Sequence, residues 1–399
     1  MKGSSARATV RRHITDPPMA LIVGLLFVHV LAAAWVLGRA PGPGRVTDVN
    51  RFQQIANSTG RPYRDFPVEY APVELGAIEL LAGPTVASTY RHVVAAALLL
   101  DLATWWLVSR GWGRGAGVRY LLLGVPLLLL LFIRLDLLTV ALAVAGLALA
   151  RARRDRLGGV ALAVASLAKV WPAFVAPSLL KRGRTTALWW FAGAATLGLA
   201  AWILVSGADA AHQVATFRGA RGWQIESTVG TVVWLVTGGP VRFEQGAARV
   251  GVIPDAVRVG LLLVLAIVTV ATWRRARWWP GASEGVPSLV SVTALIVLSP
   301  LFSLQYVIWL LPWLAIAAGE PQSRRFVRVG VGIVILTGAI MGIYVWAPFD
   351  ALLPVVAVAL LARNALCVLV VVTWFRPWPP EPLRATVKLD RMEAPAPVS

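Results

Sequence analysis

The chemistry available to this chain is concentrated between Asp48 and Pro72. That stretch holds the carboxylates Asp48, Asp65 and Glu69, the guanidinium groups Arg51, Arg61 and Arg64, and the phenols Tyr63 and Tyr70. The sequence on either side is dominated by Ala, Leu and Val. Carboxylates beside guanidinium groups offer a proton acceptor and a holder of anions, the two parts needed to move a group from a phosphate to a hydroxyl. Ionisable groups set against apolar spans are costly unless they face water or a site. The cluster therefore reads as an active-site loop on one membrane face, or else as a solvated loop with no chemistry.

Composition requires the membrane. Of 399 residues, 58% are hydrophobic and 14% charged, and mean hydropathy is +0.71. Soluble domains are about 25% charged, so the balance is that of a polytopic membrane protein. Its net charge of +19 does not point to nucleic acid. The basic residues stand in short clusters between apolar runs, which is the pattern of cytoplasmic loops. Arg outnumbers Lys 34 to 4, which with abundant Ala, Gly and Val suggests a GC-rich bacterial genome and hence a plasma membrane. The single Cys367 allows no disulfide within the sequence. The glycines of Gly111-Trp112-Gly113-Arg114-Gly115-Ala116-Gly117 imitate a phosphate loop, but no Lys-Ser/Thr follows, and they read as a tight turn. The histidines at 13, 29, 92 and 212 are scattered, so no metal and no cofactor are expected.

The elements that must position the charged stretch are apolar helices. Residues 1–18 read as a cytoplasmic segment, 19–375 as a transmembrane catalytic domain, and the Pro-rich 376–399 as a disordered cytoplasmic tail. Apolar spans fall at 19–38, 89–109, 117–133, 136–150, 185–206, 256–273, 286–301, 304–319, 326–346 and 351–375. Between Arg156 and the cluster Lys181-Arg182-Arg184, two short helices are expected, with a turn at Lys169-Val170-Trp171-Pro172 where the proline breaks the hydrogen-bond ladder. One long tilted span is the alternative. The fold class is thus an all-α bundle of about twelve transmembrane helices with both termini cytoplasmic. Residues 39–88 form a first extracytoplasmic loop, with a short helix over 48–58 capped by Asp48 and a surface segment over 71–83. Residues 207–255 lie on the same side, with a re-entrant or surface helix near 227–237.

The run Asp48, a short helix, Gly60-Arg61-Pro62-Tyr63-Arg64-Asp65-Phe66 and Glu69-Tyr70-Ala71-Pro72 resembles glycosyltransferase family 87. Further similar segments are Arg134-Leu135-Asp136-Leu137-Leu138, Lys169-Val170-Trp171-Pro172, Gly222 to Ser227, and Ser299-Pro300 with Gln305-Tyr306. The family's Glu-Tyr-Pro-Pro stands here as Glu-Tyr-Ala-Pro. The resemblance spans residues 20 to 375 and implies the GT-C fold and an α-mannosyltransferase. Its donor would be polyprenyl-phosphate-mannose and its acceptor a glycolipid or lipoglycan on the extracytoplasmic face. It also aligns Asp48 with the catalytic carboxylate of the first outer loop.

The residues fit that reading. Asp48 is the candidate general base, its other reading being a helix N-cap, and Arg51 is placed to keep it ionised. The candidates for the leaving phosphate are Arg64, Arg134, Lys169, His212, Arg218 and Arg221. Arg134 is equally a candidate structural partner of Asp136. Asp65, Glu69, Tyr70, Asp136, Gln224, Glu226, Gln305 and Tyr306 are candidates for orienting the acceptor, and Trp171 and Trp223 for stacking on a sugar. The remaining readings keep the fold with polyprenyl-phosphate-arabinose as donor, or make the chain a lipid or sugar transporter. A transporter would want ionisable groups near the membrane midplane, where Asp101, His29 and Arg363-Asn364 lie. Membrane lipids are the other expected partners; the acceptor and the oligomeric state stay open.

Overall fold

The computed structural model describes residues 17–39, 48–181, 183–279, 284–346 and 353–376. The segment 1–16 and the tail beyond 376 lie outside the described residues. Seven helices among the described residues are long and apolar enough to cross a bilayer. They are α1 (Met19–Leu37), α4 (Val86–Trp112), the run Arg114–Phe132 made of α5 (Arg114–Gly124) and α6 (Leu128–Phe132), α10 (Thr185–Ser206), α13 (Asp255–Ala276), α16 (Arg324–Trp346) and α17 (Leu353–Phe375). Five shorter helical segments complete the expected twelve: α7 (Asp136–Arg151), α8 (Asp155–Ala168), Trp171–Lys181 ending in α9 (Ser178–Lys181), α14 (Gly285–Leu298), and Leu304–Ala317 ending in α15 (Leu311–Ala317). A helix of 14 residues such as α8 is about 21 Å long, short of the ~30 Å hydrocarbon core.

The chain breaks at Lys169, as the short-hairpin reading of 157–181 requires. Lys169 is extended at φ −147°, and Pro172 lies in the first turn of the following 3₁₀ segment. Small residues hold this hairpin in the bundle. A Cβ on Gly158 would lie 2.7 Å from the Gly146 carbonyl, and one on Gly159 would lie 2.2 Å from that of Ala187. Backbones of α7, α8 and α10 therefore touch, the close packing that membrane helices use where no hydrophobic force acts between them. Gly113, at φ 96°, makes the tight turn between α4 and α5 that its glycine run predicts.

The ends of these helices sort into two groups. Trp112 at the end of α4 and Arg151 at the end of α7 both bond Glu284, at 3.0 and 3.3 Å, just before α14. Beside them Glu320 accepts from Gly285 N and Val286 N at 2.6 and 3.2 Å, filling vacant donors at the α14 N-terminus. At the other end meet 133–136, Lys169 and 299–306, together with both large loops. This grouping is the one charge placement predicts; the side that faces the cytoplasm remains a proposal.

The first loop carries α2 (Asp48–Asn57) and α3 (Pro72–Leu81). Asp48 is the first residue of α2. The second loop departs from the all-helical expectation in detail. It carries α11 (Ala208–Thr216) and α12 (Thr228–Thr237), the latter at the expected place, and also a small antiparallel sheet in the order β1 (Trp223–Gln224), β3 (Ala247–Val250), β2 (Arg242–Glu244). Strands β2 and β3 join through Gln245 and Gly246 at φ 51° and 76°, the two-residue turn whose twist suits a hairpin. Strands of two to four residues carry no alternation long enough to show in a sequence.

Candidate active site

Where the two loops meet the broken helices, a cavity of about 760 Å³ opens. Three helix breaks supply its floor: Arg134 to Asp136 between α6 and α7, Lys169 after α8, and Leu301 to Tyr306 after α14. The first loop adds Asp48, Arg51, Glu69, Tyr70 and Glu74; the second adds Phe217, Arg218, Gln224 and the hairpin residues Gln245 to Ala247 with Arg249. Non-helical backbone at membrane depth is tolerated only inside protein or along such a cavity.

The charges are interleaved. Arg134 Nη1 pairs with Asp48 Oδ2. Arg51 and Arg218 share Glu69, at 2.8 and 3.3 Å. Lys169 Nζ lies between Glu74 Oε1 at 3.0 Å and Asp136 Oδ1 at 3.5 Å, and Trp309 Nε1 donates to Asp136 Oδ1 at 2.6 Å. Burial pushes the Glu74 carboxyl above its usual range, with Lys169 opposing and Asp136 adding to the rise. The four carboxylates differ in access. The side chains of Glu69, Glu74 and Asp136 are 3, 6 and 3% exposed, whereas Asp48 is 37% exposed.

Several expectations are corrected by this geometry. Arg51 is the partner of Glu69, and the cation beside Asp48 is Arg134. Arg134 and Asp136 are accordingly not each other's structural pair; Asp136 turns to Lys169 and Trp309. Glu74 faces the protein interior, so α3 is not simply a surface segment. Trp171 is fully buried against Trp309, with centroids 5.8 Å apart, and Trp223 is buried in the small core beneath the sheet. Neither lines the cavity.

Of the candidate site residues, Asp48, Glu69, Tyr70, Arg134, Asp136, Lys169, Arg218, Gln224, Gln305 and Tyr306 come together around the cavity. Arg64, Asp65, His212, Arg221 and Glu226 do not line it. Arg64 is exposed, its Nε 3.4 Å from the Ser206 carbonyl. Asp65 accepts from Arg61 N at 2.6 Å, closing the turn after Gly60. Arg221 is exposed and gives its backbone N–H to Glu244 at 2.9 Å; His212 is exposed on α11. Glu226 stands behind the cavity and accepts from Gln224 Nε2 at 2.7 Å. Its carboxyl is pushed up by burial, with Arg363 opposing. The conspicuous motif around Tyr63 is mostly scaffold. The Tyr63 hydroxyl donates to Tyr70 O at 2.6 Å, its ring meets Trp202 edge-on, and Gln213 of α11 ties Tyr63 O and Val68 N at 2.7 and 3.1 Å.

Residues or roles missed from the sequence are Arg51 as the partner of Glu69, Glu74 and Arg249 as cavity residues, and Trp309 as the partner of Asp136. Arg249 lies in a short strand with no motif around it, and Trp309 in a run where every neighbour is apolar. Only Arg51 carried a signal, since it follows Asp48 by three residues on one helix. The deep groups the transporter reading wanted are held by one another. His29 Nδ1 is 2.6 Å from Asp101 Oδ2, Tyr120 donates to Asp101 Oδ1 at 2.7 Å, and both His29 and Asp101 are fully buried outside the cavity lining.

Fold and site together define a multi-pass helical membrane protein with a charged cavity where its loops meet its broken helices. No protein-family model matches the chain, and no curated protein matches it. Among solved structures it is similar to the crystal structure of ArnT from Cupriavidus metallidurans in the apo state, with 14% identity over 88% of this chain and 76% of that one, at a TM-score of 0.45. That score is too low to carry a fold assignment.

Proposed function

We propose that the chain is a membrane glycosyltransferase of the GT-C type that takes its sugar from a polyprenyl-phosphate donor. The observation that carries this reading is the difference in access among the cavity carboxylates. All four are paired with cations, but three are buried, while Asp48, beside Arg134, is 37% exposed and open to an incoming hydroxyl. In the reaction the acceptor hydroxyl gives its proton to Asp48 as its oxygen bonds the anomeric carbon. The carbon–oxygen bond to phosphate breaks, and the polyprenyl phosphate leaves with the electron pair, stabilised by the cavity cations. Attack opposite the leaving phosphate inverts the anomeric centre. The resemblance to family 87 supports mannose as the sugar and a glycolipid or lipoglycan as the acceptor; arabinose is the closest rival.

Asp48→Asn keeps the side-chain shape and removes the base. Purified chain given radiolabelled polyprenyl-phosphate-mannose, or the arabinose donor, with total membrane lipid should transfer sugar in the wild type. In Asp48→Asn the rate should fall by at least about 100-fold, the lower range of general-base contributions, with donor still bound. A near wild-type rate would move the base elsewhere; no transfer from either donor by the wild type would overturn the reading.

A further inference from the structure

The cations lining the cavity are matched by carboxylates with one exception. Arg134, Arg51, Arg218 and Lys169 each have an acidic partner, but Arg249 has none within ion-pair distance among the described residues. It is nonetheless buried, at 1% exposure. Burying a guanidinium without a counter-charge is expensive, and arginine does not escape by losing its proton.

The sheet holds this side chain in place. Arg249 is on the central strand, with Gln224 opposite on one side and Arg242 on the other. Its Nε donates to Glu244 O at 3.1 Å and its Nη1 to Gly222 O at 3.0 Å. Those two bonds fix the guanidinium and leave Nη2 buried with no hydrogen-bond partner. The nearby Glu244 carboxylate is turned to Arg221 N and Gly222 N. Arg218 approaches from the other loop end, so that the two guanidiniums flank the Phe217 ring at 5.7 and 5.9 Å. Like charges gathered around one ring, and a second arginine directly across the strand pair, add repulsion that an anion would relieve.

We propose that Arg249 is the anion anchor of the cavity, presenting its unpartnered Nη2 to the phosphodiester of a lipid-phosphate substrate with Arg218 beside it. This rests on the proposed donor and assigns the phosphate to the second-loop wall, on a residue outside every motif in the sequence. Lys169 and Arg134, already committed to carboxylates, then serve mainly to hold the floor.

The test compares binding of polyprenyl phosphate, polyprenol of the same length and inorganic phosphate by the purified full-length chain, followed by tryptophan fluorescence. The wild type should prefer polyprenyl phosphate over polyprenol by about 10- to 100-fold, the range of a charge-assisted hydrogen bond. Arg249→Met should lose that preference while its affinity for polyprenol is unchanged. Full preference in Arg249→Met overturns the proposal, and so does an equal fall in polyprenol affinity, which would make Arg249 a structural clamp. If Arg249→Met does not fold, Arg249→Lys is read instead, and an undiminished preference there overturns the proposal. Inorganic phosphate competing at the lipid's own concentration would make the site one for free phosphate and overturn the lipid assignment. A wild type with no preference would instead overturn the lipid-phosphate donor itself.

Discussion

Lys169→Met separates a structural load from a substrate-binding one. Sequence alone suggests that this change weakens donor use and spares folding. The structure predicts a stability cost as well, because Lys169 is set between Glu74 and Asp136 at 3.0 and 3.5 Å. At an effective dielectric of about 20, each attraction is worth about 5 kcal/mol before desolvation is counted. Burying the ammonium and two carboxylates offsets much of this, and removing one partner from a buried pair typically costs about 3–5 kcal/mol. Spread over the average unfolding entropy of a chain this size, that is a melting point lower by about 5 °C. The loss should also depend on pH. Burial raises the folded-state pKa of Glu74 above the ordinary 4.5, so between the two values the folded chain binds this proton more tightly than the unfolded chain does. That contribution is present below pH 4.5 and is lost as pH rises through the folded pKa. Without Lys169 the folded pKa climbs further, so the deficit against wild type should widen between about pH 5 and pH 8. Melting of the detergent-purified chain, followed by tryptophan fluorescence at both pH values, reads this directly. Lys169→Met with Glu74→Gln should recover most of the loss. Equal melting of Lys169→Met and wild type at pH 8, or a deficit that does not change with pH, would refute the reasoning.

Two further outcomes follow. Cysteines placed at Gly60 and Phe243, in a Cys367→Ala background, should react with a membrane-impermeant reagent added outside, while those at Arg153 and Trp278 should not; the reverse pattern would invert the proposed sidedness. Arg363→Met should lower kcat/KM for the donor about 10-fold or more through the second loop. Arg363 bonds the Glu226 carbonyl and lies 3.9 Å over the Phe302 ring, and Gln224 takes Phe302 N at 3.1 Å. Because Arg363 only positions Gln224, its loss should raise KM with kcat nearly unchanged; a fall in kcat alone would contradict that role.

The helices were legible because a long apolar run is its own signal, and basic clusters fix how runs alternate. The break at Lys169 was legible for a more particular reason: 24 residues between Arg156 and Lys181 admit few paths, and Pro172 marks where the ladder fails. Pairing was not legible. Asp48 is 86 positions from Arg134, and Glu74 is 95 from Lys169; which cation meets which carboxylate is decided by how α2 and α3 lie across the helix breaks. Local motif strength even misled, since Arg64 and Asp65 stand in the most distinctive run and face away from the cavity. Arg249 shows the opposite case, a buried charge in a strand of four residues whose neighbours give no warning.

The breaks explain why a membrane bundle can hold this chemistry at all. Each ends a helix, and each delivers polar groups to one cavity: Arg134 and Asp136, Lys169, then Ser303 with Gln305. A continuous helix would bury its backbone groups in its own ladder and leave those side chains facing neighbours or lipid. Helices α8 and α14, of 14 residues each, end at about 21 Å and leave part of the membrane thickness for loops to fill. The first loop fills it with carboxylates and the second with arginines, and on the residues described the two nearly cancel, five cations against four carboxylates. An excess of one positive charge among the lining residues matches the single negative charge of the phosphodiester in the proposed donor. The lining cation without an ion-pair partner among the described residues is Arg249, so the balance of the site turns on a residue that stands in none of the motifs and meets one only at Gly222 and Gln224.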